Sequence, residues 1–157
     1  MLEEKAEAMA RPKTFLLVED DLNDAYLIQR EFREASHLQL EVVRDGVEAV
    51  EYLLGHANFS DREKHPLPDV ILLDLKMPRM DGFDFLRWLR SEGARDVRLT
   101  PVIVMTSSNL ATDVRNAYAS GANAFMSKPI DWAAFKRNMQ ALGVFWSQIA
   151  QTPMSTH

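Results

Sequence analysis

Five short apolar runs alternate along the chain with amphipathic segments. The runs are nearly continuous blocks of apolar residues at 14–18, 40–43, 69–73, 101–105 and 123–127. Continuous runs of this length are typical of strands covered on both faces, as in parallel sheets. Strand–helix alternation repeated five times therefore predicts an α/β sandwich, in which helices cover both faces of a five-stranded parallel sheet.

The last amphipathic segment is longer than such a sandwich needs. Its apolar residues recur alternately three and four positions apart from Trp132 to Ile149, which predicts one extended helix. The connection at 55–68 is also long, is polar and contains two prolines. We predict one domain at 14–150 with an extended last helix, preceded by an N-terminal tail at 1–13 and followed by a C-terminal tail at 151–157.

Composition excludes several classes of function. A net charge of −5 without any basic run argues against a nucleic-acid partner. The absence of cysteine excludes disulfides, thiolate metal sites and a cysteine nucleophile. Neither a signal peptide nor an apolar stretch of membrane-spanning length is evident, so we expect a cytoplasmic protein without a membrane partner.

Polar side chains follow four of the five predicted strands. In a parallel sheet these positions share one edge, where ligands bind. Each has a structural explanation, since such residues also cap helices and form turns. Together, however, four acidic residues, two hydroxyls and an ammonium indicate a site for a hard cation such as Mg²⁺. The residues are Glu19, Asp20 and Asp21, then Asp74, then Thr106 and Ser107, and finally Lys128.

Four segments carry a resemblance to a known family. The segments VEDD at 18–21, LLDLKMPRMDG at 72–82, VMTSS at 104–108 and FMSKP at 125–129 resemble the signature segments of response regulator receiver domains from two-component systems. The resemblance covers about residues 14–150. It implies a flavodoxin-like (βα)5 doubly wound sandwich with strand order 2-1-3-4-5.

The resemblance also implies roles for individual residues. Asp74 would be phosphorylated, and Mg²⁺ would be the only cofactor. Such a protein catalyses its own phosphotransfer and autodephosphorylation but is not an enzyme with a separate substrate. The Lys128–Pro129 peptide would be cis. The implied metal ligands are Glu19, Asp20, Asp74 and the Lys76 backbone carbonyl; the switch residues are Thr106 and Phe125; the phosphate contacts are Ser107 and Lys128; and Thr106 and Lys128 assist catalysis at Asp74.

Three features resemble one branch of that family. The 55–68 loop, the extended last helix and the pair Phe145–Trp146 are similar to those of small response regulators that work with phytochrome kinases. This implies a sensor histidine kinase of phytochrome type as partner. Apolar residues of the last helix outside its main seam also predict a homodimer through the fourth helix, the fifth strand and the last helix.

Two other functions deserve comparison. A Mg²⁺-dependent phosphatase of the haloacid dehalogenase type would carry its aspartyl nucleophile in a D-x-D motif after the first strand, whereas the strongest candidate here, Asp74, follows the third. A nucleotide-binding module would need a glycine-rich phosphate loop after a strand, and none is present. Turnover of a generic phosphomonoester would favour the phosphatase, and tight nucleotide binding would favour the module.

Overall fold

A five-stranded parallel sheet forms the centre of the molecule. The computed structural model describes residues 12–35 and 37–153. The strand order is β2-β1-β3-β4-β5, as the resemblance implies, and every neighbouring pair is parallel. The predicted flavodoxin-like sandwich is therefore confirmed. The strands are β1 (Lys13–Val18), β2 (Leu38–Val43), β3 (Val70–Leu73), β4 (Val102–Thr106) and β5 (Ala124–Ser127).

A helix follows each strand. The helices are α1 (Leu22–Arg33), α2 (Gly46–Leu54), α3 (Gly82–Glu92), α4 (Ala111–Ala119) and α5 (Trp132–Val144). An aspartate side chain accepts a backbone N–H at the N-terminus of every helix except α4, which begins after Leu110 without such a cap. Helix α5 passes directly into a π-helical segment at Phe145–Ile149.

The sheet has an apolar core on each face because successive strand residues point to opposite sides. Leu73 and Val104 face α2, α3 and α4, whereas Leu72 and Met105 face α1 and α5. The three inner strands are buried, while β2 and β5 at the edges are only partly covered. This arrangement fixes the carboxyl ends of β1, β3 and β4 at the middle of one edge.

The long 55–68 connection is fastened to α2 by hydrogen bonds. The guanidinium of Arg62 donates to the backbone carbonyls of Tyr52 and Leu53, both at 2.8 Å. In return, the Tyr52 hydroxyl donates to the carbonyl of Pro66 at 2.8 Å. These bonds satisfy carbonyls at the end of α2 and hold the loop against the domain.

The ends of the chain are described only in part. The predicted N-terminal tail at 1–13 falls mostly outside the described residues, as do the last residues of the predicted tail at 151–157. Thr152 is buried, and its hydroxyl donates to Asp69 at 3.3 Å. Within the described part of the chain, no helix is long and apolar enough to cross a membrane.

Candidate functional site

Three carboxylates meet at the carboxyl edge of the sheet. Glu19 and Asp20 follow β1, and Asp74 follows β3. Val18 and Leu73 are register partners, and the Asp74 N–H donates to the Val18 carbonyl at 3.0 Å. The acidic residues that follow these two neighbouring strands therefore lie side by side at the edge of the sheet. One oxygen of each carboxylate lies within 4.8 Å of the others.

The donor set of this cluster suits a hard divalent cation. Its side chains offer only carboxylate oxygens, and neither histidine nor cysteine belongs to it. Glu19 and Asp74 are buried while Asp20 is exposed, so water and ligands reach the cluster from one side. Three negative charges this close repel one another, and a bound cation offsets that repulsion.

Lys128 provides the positive charge beside the cluster. It follows β5, and its backbone N–H donates to the Thr106 carbonyl at 2.8 Å. Its Nζ lies 2.6 Å from Glu19 Oε2 and 3.4 Å from Asp74 Oδ2. The long side chain thus reaches from the end of β5 to the carboxylates, as the sequence predicts.

Burial and charge change the proton affinities of Glu19 and Lys128. Burial raises the pKa of Glu19 to about 7, with help from the negative charge of Asp74, although the hydrogen bond from Lys128 opposes the rise. Burial lowers the pKa of Lys128, but hydrogen bonds to Asp24 and Glu19 outweigh it and leave that pKa above its ordinary value. Lys128 is therefore a stable ammonium at neutral pH.

The hydroxyl residues after β4 differ in their surroundings. Thr106 is fully buried, and its Oγ1 accepts a long hydrogen bond of 3.4 Å from the backbone N–H of Ser108. Ser107 is exposed at the rim of the site. Ser108 is buried, and its hydroxyl donates to Asp113 in the first turn of α4. A hydrogen-bonded chain thus runs from Thr106 to α4.

The remaining predicted residues lie around this centre. The Lys76 side chain is exposed, and its backbone N–H donates to Asp74 Oδ1 at 3.4 Å. Phe125 is half-buried on β5 and packs against the core that faces α4. The implied cis peptide at Lys128–Pro129 was wrong: the bond is trans. The trans form is the more common one for X–Pro bonds.

Sequence reasoning missed one residue of the site, Asp24. Its Oδ2 lies 2.9 Å from Lys128 Nζ, which is closer than the Asp74 oxygen. Asp24 belongs to the first turn of α1 and lies four positions after Asp20. Asp20 precedes the N-cap of α1, so this spacing is no helical signal, and the contact depends on how α1 packs against the sheet.

A second ion pair braces the loop that follows Asp74. Arg79 has a left-handed backbone with φ of 66°, and its Nε donates to Asp45 Oδ2 at 2.7 Å. The next residue, Met80, accepts a hydrogen bond from the Gly46 N–H at 3.1 Å. Together these contacts hold the β3–α3 loop against the start of α2.

This ion pair predicts a pH-dependent contribution to stability. Burial raises the pKa of Asp45, but the Arg79 hydrogen bond and backbone donors outweigh burial and lower it below 3.8. The stabilisation is then complete above the unfolded pKa of about 3.9 and is lost as the pH falls through the lower folded pKa. At neutral pH, the urea concentration at the midpoint of unfolding should be higher for wild type than for Asp45→Asn. This difference should shrink as the pH falls through the folded pKa of Asp45. With Asp61→Asn as the exposed control, a gap that persists unchanged in acid would contradict the prediction.

Comparisons with known proteins agree with this geometry. Residues 15–140 match the model of the response regulator receiver domain family. The probable methanogenesis regulatory protein FilR2 of Methanothrix harundinacea is 35% identical over 86% of this chain and 84% of its own length. The response regulator Rcp1 of Synechocystis is 30% identical over 90% of this chain and 94% of its own length.

Solved structures show the same similarity. The phosphorylated cyanobacterial phytochrome response regulator RcpA has a TM-score of 0.81 at 29% identity and covers 90% of this chain and 99% of its own. RPA3017, a response regulator in red light signalling of R. palustris, also has a TM-score of 0.81, at 35% identity, over 90% and 98% of the two chains. The Mn²⁺-bound form of Rcp1 has a TM-score of 0.80 at 30% identity, over 90% and 99%. With its sequence match, strand order and carboxylate–lysine site, this chain belongs to the response regulator receiver domain family.

Proposed function

We propose that this chain is a response regulator whose receiver domain at 14–150 accepts a phosphoryl group on Asp74 from a sensor histidine kinase. The observation that carries the proposal is the environment of the Asp74 carboxylate. It lies in the cluster with Glu19 and Asp20, while Asp74 Oδ2 is 3.4 Å from the Lys128 ammonium. A nucleophile held between a cation site and a fixed ammonium suits phosphoryl transfer, which depends on positioning and charge neutralisation.

The reaction transfers a phosphoryl group between two protein side chains. A carboxylate oxygen of Asp74 attacks the phosphorus of a phosphohistidine on the kinase, the P–N bond breaks, and its electron pair stays on the imidazole. The product is an acyl phosphate on Asp74. Mg²⁺, when bound, neutralises phosphoryl oxygens during transfer. Glu19, Asp20, Asp74 and the Lys76 carbonyl would hold that ion.

The remaining residues respond to the new charge. Lys128 donates to a phosphoryl oxygen, as do the backbone N–H of Ser107 and the hydroxyl of Thr106. The Thr106 hydroxyl is weakly engaged, because its hydrogen bond from Ser108 is 3.4 Å long, so it can be drawn to a stronger acceptor. Its movement gives space to Phe125, and the surface formed by α4, β5 and α5 changes shape.

The partner is proposed to be a phytochrome-type histidine kinase. RcpA is a phytochrome response regulator, and RPA3017 acts in red light signalling. Each of these structures covers 90% of this chain. FilR2 carries a different regulatory description, so these two structures supply the argument for a photoreceptor. We further propose that the protein acts in the cytoplasm, because its phosphodonor kinase draws on ATP there.

Metal removal tests the proposed reaction. Wild-type protein mixed with acetyl phosphate and Mg²⁺ should gain the mass of one phosphoryl group, because the ion offsets repulsion between the donor and the carboxylates. The same mixture with excess EDTA should show no gain, and addition of Mg²⁺ should restore it. Equal labelling with and without metal would contradict the proposal. Rapid release of phosphate from p-nitrophenyl phosphate would instead support the phosphatase alternative.

We also propose that the protein forms a homodimer through α4, β5 and α5. The free edge of β5 and the end of α5 border an apolar groove lined by Met126, Leu142, Phe145 and Trp146. Val144 and Phe145 are each 46% exposed. An apolar surface next to an open strand edge favours association with a second protein surface. A two-fold pair would cover both copies of the groove at once.

A charge placed in the groove should separate the dimer. Phe145→Glu should convert a wild-type dimer to a monomer in multi-angle light scattering, because two like charges would be buried at the symmetric interface. The matched control is Leu99→Glu, since Leu99 is 63% exposed on the short 3₁₀ helix at Val97–Leu99 and does not line this groove. If wild type stays monomeric at every concentration, with and without phosphorylation, the dimer proposal is wrong.

A further inference from the structure

The Lys128 ammonium is bound by three carboxylates, and only two of them belong to the metal cluster. Its Nζ is 2.6 Å from Glu19 Oε2, 2.9 Å from Asp24 Oδ2 and 3.4 Å from Asp74 Oδ2. An ammonium has three N–H donors, so these contacts use its full capacity. Any new acceptor, such as a phosphoryl oxygen, must therefore replace one of the three.

Asp24 differs from the other two acceptors in what else it can bind. Glu19 and Asp74 are shared with the cluster that includes Asp20, whereas Asp24 lies outside that cluster. When a divalent cation is bound, Lys128 must share Glu19 and Asp74 with another positive charge. Asp24 remains entirely available to the ammonium and so reduces the repulsion between the two cations.

The main chain holds Asp24 in this position. It lies in the first turn of α1, and its backbone N–H donates to the capping carboxylate of Asp21 at 3.0 Å. Its side chain is 37% exposed, and its carboxylate lies 2.9 Å from Lys128 Nζ. At 2.9 Å, this ion pair is shorter than the 3.4 Å contact between Lys128 Nζ and Asp74 Oδ2. Removal of this carboxylate therefore alters Lys128 without removing a metal ligand.

Resting on the proposed phosphoryl transfer at Asp74, we propose that Asp24 is a positioning residue that holds Lys128 in the unphosphorylated state and competes with the phosphoryl group for it. The ammonium gives up a short ion pair with Asp24 when it turns to the acyl phosphate. Asp24 thus favours metal loading and disfavours the phosphorylated state. Its presence sets how readily the site is activated once the cation is bound.

The substitution Asp24→Asn should have opposite effects on the two ligands of the site. The probes are Mg²⁺ alone and, at saturating Mg²⁺, beryllium trifluoride, an anion that mimics a phosphoryl group on a carboxylate. Loss of this partly exposed ion pair should tighten the binding of beryllium trifluoride about 5-fold, because Lys128 is then released from Asp24. Mg²⁺ binding should weaken about 3-fold, because Lys128 turns back to Glu19 and Asp74. Calorimetry measures the affinity for Mg²⁺, and fluorine NMR measures the affinity for beryllium trifluoride.

A double-mutant cycle separates positioning from simple charge removal. Loss of any nearby negative charge would also favour an anion, with or without Lys128. Lys128→Met keeps the length of the side chain but removes the ammonium. If Asp24 acts through Lys128, the tightening of trifluoride binding by Asp24→Asn should disappear in the Lys128→Met background. Thermal unfolding of all four proteins verifies that each is folded.

The outcomes distinguish this inference from the function on which it rests. If Asp24→Asn tightens trifluoride binding by the same factor in both backgrounds, Asp24 acts only by its charge and the positioning role is overturned. An unchanged affinity in the wild-type background overturns it as well. If wild type binds no trifluoride even with Mg²⁺, the proposed phosphorylation at Asp74 fails, and the inference fails with it.

Discussion

Asp74→Asn should abolish phosphoryl uptake from acetyl phosphate while the domain remains folded. An amide oxygen is a far weaker nucleophile than a carboxylate and carries no charge for a cation. The change also removes the acceptor that lies 3.4 Å from Lys128 Nζ. Intact-protein mass spectrometry should show one added phosphoryl group on wild type and none on the variant at matched time and Mg²⁺ concentration.

Two controls make this result specific. Asp61→Asn changes an exposed aspartate in the 55–68 loop and should label like wild type. In EDTA, Asp74→Asn should unfold at the same temperature as wild type or higher, because it reduces repulsion in the crowded cluster. Labelling of Asp74→Asn equal to that of wild type would show that a different residue is the acceptor, with Asp20 the nearest exposed candidate.

Gly82→Ala should have the largest effect on the fold around the site. A Cβ at this position would lie 2.4 Å from the Asp74 carbonyl oxygen and 2.8 Å from the Leu75 Cα. The Gly82 N–H also donates to the Leu75 carbonyl at 3.0 Å. Backbone atoms cannot rotate away as a side chain can, so the loop must separate from α3. We expect a loss of about 3 kcal/mol in the free energy of unfolding, measured in urea.

The same displacement should reach the phosphorylation site. Because Asp74 moves with its carbonyl, Mg²⁺ affinity should fall together with stability. The matched control is Gly143→Ala in α5, where the added methyl would meet only Leu38 Cδ1 at 2.9 Å, the end of a flexible side chain. A Gly82→Ala protein as stable as wild type, with unchanged Mg²⁺ affinity, would show that the loop tolerates the methyl.

The sequence was sufficient to predict the sheet because burial on both faces leaves a direct signal. The runs at 69–73 and 101–105 correspond to β3 and β4 within one residue at each end. The cluster of Glu19, Asp20 and Asp74 was predictable for a related reason, since each residue follows a strand and parallel strands end at one edge.

The contacts that were missed depend on side-chain direction rather than on strand position. The approach of Asp24 to Lys128 requires the rotation of α1 relative to the sheet, which strand ends do not specify. The bond from Ser108 to Asp113 depends on the path of the β4–α4 connection. The same bond occupies the hydroxyl of Ser108, which is buried.

The weak packing of α4 against the sheet lowers the free energy needed to displace this helix. Ala117 is the one residue of α4 that is buried, whereas α3 buries Phe85, Leu86 and Leu89 together with Gly82. With little apolar area held against the sheet and no side-chain cap, α4 should open locally at a low free energy and exchange its amide hydrogens early. The proposed displacement of Thr106, passed on through Ser108, would therefore act on a helix that opens easily. Under the proposed function, the formation of the acyl phosphate should then need only a small free energy to redistribute the conformations of this helix.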